Sequence, residues 1–430
     1  MSDLVASQSW LEKCFANSQP LPEKKWLRQF REQQLNEFIQ RGFPTRKEEA
    51  FKYTSVAALS GATFTPGIYK NNAQVAHTVL DQSARFVFVN GIYASELSHT
   101  DGLSKDIIAC PLSEALERHE DLVKSSLTRE FDKKQFPFVI LNSALMTDGL
   151  FLKIPKNQTI TLPIHLLFIN TEQDEFISSP RNIILAEENS QATLIEEHHG
   201  ESAKHYFTNV VTELMLANNA RIDYYKMQDD DYSATHISNV LIDQQQDSVV
   251  NTYFLSRGAK LARENLTLSQ QAKGAESKLY GLYVLDHDQQ HIDHHVRVDH
   301  FAEHGASTML YKGILDKNSH AVFNGKVLVH QNAQHINAHQ ANHNLLLSND
   351  AEIDTKPELE IYADDVKCTH GATVGQLDEE SLFYLRSRGI ERADAFKILT
   401  TAFEDEIFAK IENANIRQYI QKRMSSHDEL

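Results

Sequence analysis

In the segment VKCTHGATVG, residues 366–375, a cysteine and a histidine stand two positions apart. Side chains alternate along an extended strand, so Cys368 and His370 point to the same side. Thiolate and imidazole are both ligands for iron and related cations, but two donors supply only half of a coordination sphere. The other donors would have to come from elsewhere in the chain or from a partner. Against this stands the ordinary reading of a lone cysteine as a small buried apolar residue. Spacing alone leaves both readings open.

A second cluster lies upstream. Eleven histidines fall between His287 and His343, beginning with DHDQQHIDHHVRVDH. On a strand His291 and His295 share a face with Asp293 between them, and His300 lies further along. Histidine-rich tracts bind metals, which makes His291, His295 and His300 a candidate weak metal set. None of the fixed spacings of metalloproteases or zinc fingers occurs, and a ladder of polar residues on a stacked β face is a sufficient alternative. A metal-dependent β-solenoid enzyme using this tract and Asp286, Asp288, Asp293 and Asp299 is one functional reading; a purely structural adaptor is another. There is no GxSxG elbow for a nucleophilic hydrolase. Neither GxxxxGK[ST] nor GxGxxG is present, so ATP hydrolysis by this chain is not expected.

Composition narrows the partners. Across 430 residues, 42 basic and 59 acidic side chains give a net charge of −17, which repels phosphate backbones and anionic lipid. No nucleic-acid or membrane partner is expected. The three cysteines, Cys14, Cys110 and Cys368, are odd in number and form no CxxC, which suits a reducing cytoplasm. The N-terminus has no basic, apolar leader pattern. The terminal His427-Asp428-Glu429-Leu430 therefore reads as a coincidental match to a retention address.

The chemistry must be carried by elements of two kinds. Apolar spacing from Ser7 to Gln40, interrupted at Pro20 and Pro22, predicts two amphipathic helices meeting at a turn. RFVFVNGIY, 85–93, predicts a strand entering an Asn-Gly turn, and helical spacing returns over 112–147, as a helical cap around a little sheet. From Gly149 to Val374 only short alternating runs occur. Runs opened by a small residue begin at Ala192, Ala220, Ser248, Ala275, Ala306, Ala321 and Ala351, with Asn-led runs at Asn209, Asn239, Asn265 and Asn344. Two strands per period of nearly thirty residues predict a β-solenoid whose coils stack, with a β-sandwich or barrel of coincidental spacing as the alternative. After Gln376, Asp378 caps a helix, Gly389 stops it and Glu391 opens another, with an apolar stripe at Phe396, Leu399, Phe403 and Ile407. A short third helix is expected from Asn415. The stripe is read either as a cap on the end of the solenoid or as a docking face. The expected divisions are 1–150, 151–377 and 378–430.

SPRNIILAEENSQATLIEEHHG at 179–200, KPELEIYADDVKCTHGATVGQLDEESLFYLRSRGI at 356–390 and TRKEEAFKYT at 45–54 closely resemble the SufB/SufD family of iron–sulfur cluster assembly proteins. With Cys14 alone in place of an N-terminal cysteine motif, the chain is most like the family's SufD branch. The resemblance implies a right-handed parallel β-helix between N- and C-terminal helical domains, in a non-catalytic scaffold subunit. It implies pairing with a SufB-like subunit through the β-helix. It also implies binding of a SufC-like ABC ATPase through the C-terminal helices, carried onto Arg386, Arg388, Phe396, Leu399 and Phe403. His370, with Cys368 second, would be an interface ligand for iron or a nascent cluster. No cofactor would bind stably to the isolated chain, only transient iron or an iron–sulfur cluster in the complex. A homodimer of the isolated subunit is left open.

Overall fold

The computed structural model describes residues 2–17, 21–69, 80–128, 135–171, 173, 175–200 and 205–425, with side chains from Trp10 onward. Pro20 and the terminal His-Asp-Glu-Leu lie outside these residues. The chain is mainly β, with a β-solenoid of about 7 turns and helices toward both termini.

Each coil gives one strand to each of two sheets. Sheet A runs through Leu150–Ile154, Arg181–Ala186, Tyr206–Leu216, Thr235–Gln244, Leu261–Gln270, His291–His300 and His320–Val329 to Glu352–Ile361. Sheet B runs through Ala84–Val89, Ile164–Asn170, Gln191–Gly200, Arg221–Asp230, Val249–Gly258, Glu276–Leu285, Ala306–Leu315 and Ile336–Leu346 to Val366–Gly375. Neighbours in both sheets pair in parallel and in register, Ser277 opposite Ser307 and Ser307 opposite Ala338, for example. Alternate side chains of the two sheets meet in the lumen, where Leu194, Phe254, Leu266 and Val298 belong to one continuous apolar core. The strands of 84–93 are not a separate sheet: Ala84–Val89 pairs with Ile164–Asn170 as a first strand of sheet B. It then turns at Asn90 and Gly91, both at positive φ, onto the antiparallel Ile92–Tyr93.

The repeat has a local cause. At one corner of successive coils Asn189, Asn219, Asp247, Gly274, His304 and His335 all adopt positive φ. Each donates its backbone N–H to a carbonyl of the next coil, as Asn219 does to Gln246 and His304 to Gln334. Asn, Asp and Gly tolerate this conformation best. The small openers Ala220, Ser248 and Ala275 directly succeed these corner residues. The opener series goes astray after Ala306. Ala321 and Ala351 open strands of sheet A, and Asn344 lies in sheet B, the reverse of the earlier members. Ala321 lies within the sheet A strand His320–Val329, so the short step from Ala306 to Ala321 crosses half a coil instead of completing one.

Each sheet has part of its outer face covered by one terminal region. Helices Lys25–Arg41 and Pro137–Leu145 pack together, and Phe38, Phe138 and Leu141 share a cluster with Phe207 and Ile237 of sheet A. Helices Arg392–Phe408 and Ala414–Met424 lie against sheet B, where Ile407, Phe408, Ile411 and Ile420 meet Tyr225, Tyr253 and Leu282. The C-terminal stripe therefore does not cap the end of the solenoid: its buried part lies along the side, and the last coil has no helix stacked over it among the described residues.

Candidate functional site

The strand Val366–Gly375 is the terminal strand of sheet B, paired on one edge only. Its register places Cys368 beside Ala338, and His370 beside Gln340. Ala338 and Gln340 face the lumen and are buried, so Cys368 and His370 continue two inward rows onto a coil that has no successor. They share a face, as the spacing predicts. Their surroundings differ. Cys368 is half-buried against the apolar cluster of Val327, Val329, Ile336 and Ala338, and burial pushes its thiol above the usual range. His370 is exposed. The neighbouring Thr369 and Thr373 face outward and accept from or donate to His339 and His343 at 2.7 and 2.8 Å. The imidazole of His370 is thus presented at an open β edge, the kind of surface that takes up another strand or chain.

The matching end of sheet A is Glu352–Ile361, which contains Pro357. Proline lacks the N–H of a ladder and is confined to edge strands, so it marks this strand as terminal. Ile361, Tyr362 and Val374 are exposed at this end, an apolar surface that no described residue of the chain covers.

The C-terminal helices carry a second uncovered surface. Asp378 accepts from the backbone N–H groups of Glu380 and Ser381 and starts the helix Glu379–Ser387, and Gly389 ends it at φ +88°. Leu382 is buried, but Phe383 is 73% and Tyr384 58% exposed. With Leu385, Ile398 and Leu399 they line an open cleft of about 910 Å³. Arg386 and Arg388 are exposed beside it, the Arg388 guanidinium 5.2 Å from the Tyr384 ring. Phe396, Leu399 and Phe403 belong to the neighbouring helix, and the Lys312 ammonium sits 3.8 Å over the Phe403 ring.

The histidine tract does not converge. His291 and His295 lie on the outer face of sheet A. His291 Nε2 is 2.9 Å from Thr54 Oγ1, and His295 Nε2 is 3.0 Å from Asp293, whose other oxygen accepts from Arg263 at 2.5 Å. His300 has the opposite phase and lies in the lumen, Nε2 3.0 Å from Ser307 Oγ. Further histidines serve the stacking of coils: His304 and His335 stack at the corner with centroids 4.8 Å apart.

The lumen also holds an ionisable network that period and motif reading passed over. Lys226 Nζ lies 3.3 Å from Glu196 and 3.5 Å from Glu264, and His236 lies 2.8 Å from Asp230, all of them buried. Burial lowers His198, next to Lys226, and His294 to about 4. Glu196 and Lys226 occupy adjacent inward positions of strands that otherwise read as apolar, a signal visible only once the register is known. Outside the lumen, His320, Glu352 and Asp354 bring their ligating atoms within 4.8 Å of one another across two strands, at a sequence separation no motif describes.

The chain is thus a parallel two-sheet solenoid with helices against both sheets and an open terminal coil. Comparison with known families is specific. The model of the SUF system FeS cluster assembly SufBD core domain matches residues 168–403, and that of the SufBD protein N-terminal region matches 17–166. The chain belongs to the SufBD family. It is 34% identical over 395 residues to an iron–sulfur cluster assembly SufBD family protein of Synechocystis, covering 89% of this chain and 87% of that one. It is 27% identical to the iron–sulfur cluster assembly protein SufD of Escherichia coli, over 91% of each chain. It is also 27% identical to the chloroplastic protein ABCI7 of Arabidopsis thaliana, over 91% of this chain and 84% of that one. No helix among the described residues is long and apolar enough to cross a membrane.

Proposed function

We propose that this chain is the SufD-type subunit of a cytoplasmic iron–sulfur assembly scaffold. In this reading it pairs with a SufB-type subunit through the open end of the solenoid and with a SufC-type ATPase through the cleft and cationic surface of the C-terminal helices. His370 offers an imidazole to iron or a nascent cluster whose remaining ligands come from the partner. The observation that carries the reading is an exposed His370 on a terminal strand whose second edge is unpaired. Imidazole is a competent iron ligand without further activation, and one donor at a shared boundary costs the isolated subunit little. The Cys368 thiol, packed in the apolar end of the lumen and raised by burial, is the weaker candidate. The subunit acts without turnover of its own, holding iron or cluster only transiently in the complex, and self-pairing through the same end is expected when the partner is absent.

The test is co-purification with SufB- and SufC-type chains, with iron and sulfide analysis of the product. His370→Ala is expected to leave folding and ATPase association near normal and to abolish cluster in the complex; Cys368→Ala is expected to do less. Normal cluster content in His370→Ala, or an unfolded subunit, sinks the ligand assignment.

A further inference from the structure

We propose a divalent transition-metal site on the outer face of sheet A, formed by His320, Glu352 and Asp354. It lies on the other sheet from His370 and does not rest on the assembly reading above. The strand register builds it. His291, His320 and Glu352 stand in one column across three adjacent strands, and Asp293, Val322 and Asp354 stand in the column two residues along. Their neighbours Ala321 and Phe323 fill the lumen, so His320 is turned outward, and Thr355, bonded to Asn342 in the lumen, places Glu352 and Asp354 outward too.

Three donor atoms converge within 4.8 Å, with His320 Nε2 2.9 Å from Asp354 Oδ2. Two carboxylates two residues apart on one strand face repel each other unless a positive charge stands between them. Among the described residues no lysine or arginine forms an ion pair with either of them, and only the His320 imidazole stands beside them. Lys356, the next outward residue, is held by Glu49 at 2.9 Å and by Glu358, and Arg263 is held by Asp293 at 2.5 Å. The Glu352 carboxylate has no hydrogen-bond or ion-pair partner among the described residues. The imidazole is also braced: the His291 ring, fixed through Nε2 by Thr54 Oγ1, meets the His320 ring edge to face at 4.8 Å. Support of this kind behind a ligating histidine keeps its nitrogen aimed at one point.

One imidazole nitrogen and two carboxylate oxygens select the class of ion. Copper(I) prefers sulfur, magnesium and calcium prefer all-oxygen shells, and this mixed set suits Fe(II), Mn(II), Co(II) or Zn(II) with water completing the sphere.

Co(II) is the probe, added to the purified full-length chain and tracked by its visible d–d absorption and by calorimetry. One equivalent is expected to bind. The Glu352→Gln/Asp354→Asn double variant is expected to weaken binding by about tenfold or more, on the scale set by loss of even supporting groups. His320→Gln, which keeps both carboxylates, is expected to weaken it too, and His370→Ala and Cys368→Ala to leave it unchanged. Circular dichroism checks the fold of each variant, and these partly exposed positions are expected to keep it. No Co(II) binding by the natural chain, binding that survives both site variants, or binding lost on changing His370 instead would overturn the assignment.

Discussion

The strand Tyr206–Leu216 near the start of the solenoid is buried at ten of its eleven positions, whereas none of the ten positions of Val366–Gly375 at its end is fully buried. Both strands pair in parallel and in register with a preceding coil. They differ in their cover: the first lies beneath another coil and helices, and the last does not. An inward position of an interior coil is therefore shut off from solvent and from other molecules, and the equivalent position of the last coil is open to them. Polar residues mean opposite things in the two places. Lys226 is a structural ion in a closed lumen, and His370 is an accessible donor at an open one.

The largest effect that would test this contrast is acid. His198, His294 and His300 are lowered to about 4, chiefly by burial, against an ordinary value near 6.5. Because the unfolded chain takes up these protons first, stability is full above pH 6.5 and falls as the pH drops from about 6.5 toward 4. The loss is on the order of 3 kcal/mol for each histidine. Glu197 adds a loss at lower pH. Burial pushes it up, but His165 at 3.0 Å and Arg423 at 2.9 Å bring it down to about 2. Its contribution is present above about pH 4.5 and is lost as the pH falls toward 2. Urea unfolding at pH 7, 6 and 5 reads the histidine loss directly, and a flat profile would mean that the lumen is hydrated and the contrast overstated.

Next in size is the interior charge itself. Lys226→Met removes the ammonium that lies against both Glu196 and Glu264. Breaking a buried pair from one side costs about 3–5 kcal/mol, because an uncompensated charge is left behind. Lys326→Met breaks the Lys326–Glu360 pair near the open end, 25% and 44% exposed, where a surface ion pair contributes about 1 kcal/mol or less. Equal shifts in urea midpoint for the two variants would contradict the distinction between interior and terminal coils.

Much of this architecture was legible in the sequence because the corners impose it. The positive-φ residues recur at one corner, followed by a small residue in all but the coil of His335, and Asp378 and Gly389 mark the C-terminal helix with standard caps. The pair Cys368 and His370 was legible as a shared face because alternation fixes it. The rest depends on which coil is last and what covers each face. Nothing around Ile407 says that it meets Tyr253 and Leu282 along the side of the solenoid instead of its end. The His291–His300 run carries inward and outward histidines in one strand, and only the register separates them. His320 and Asp354 meet across a strand pairing, which a linear motif cannot express.

A smaller effect concerns the clasp holding the last helix to sheet B. The Tyr419 hydroxyl donates to the buried Glu197 carboxylate, which Arg423 and His165 also contact. A hydrogen bond to a charged group contributes about 1.5–3 kcal/mol, and the two remaining partners put Tyr419→Phe at the lower end. Denaturant unfolding of that variant should show it. If the midpoint does not move, Ala414–Met424 is held by its apolar contacts alone, and side-on packing owes nothing to the clasp.

The smallest effect on stability is expected at the open edge, where the contrast is sharpest. Val374 is 49% exposed on the terminal strand and Val298 is fully buried in an interior one, although both occupy inward positions of their sheets. Val374→Asp should change unfolding free energy by no more than about 0.5 kcal/mol, as at other surface positions away from special features. Val298→Asp places a carboxylate in an apolar lumen with no partner and should prevent folding. If the proposed pairing through this end holds, the same Val374→Asp protein should also bind a SufB-type chain less well, measured by analytical ultracentrifugation, because a charge on an exposed edge is a standard means of blocking strand-to-strand contact. If Val374→Asp unfolds the protein, the end is closed in solution; if it folds and pairs unchanged, the partner docks elsewhere. Loss of pairing with stability intact is the outcome that an open, ligand-presenting last coil requires.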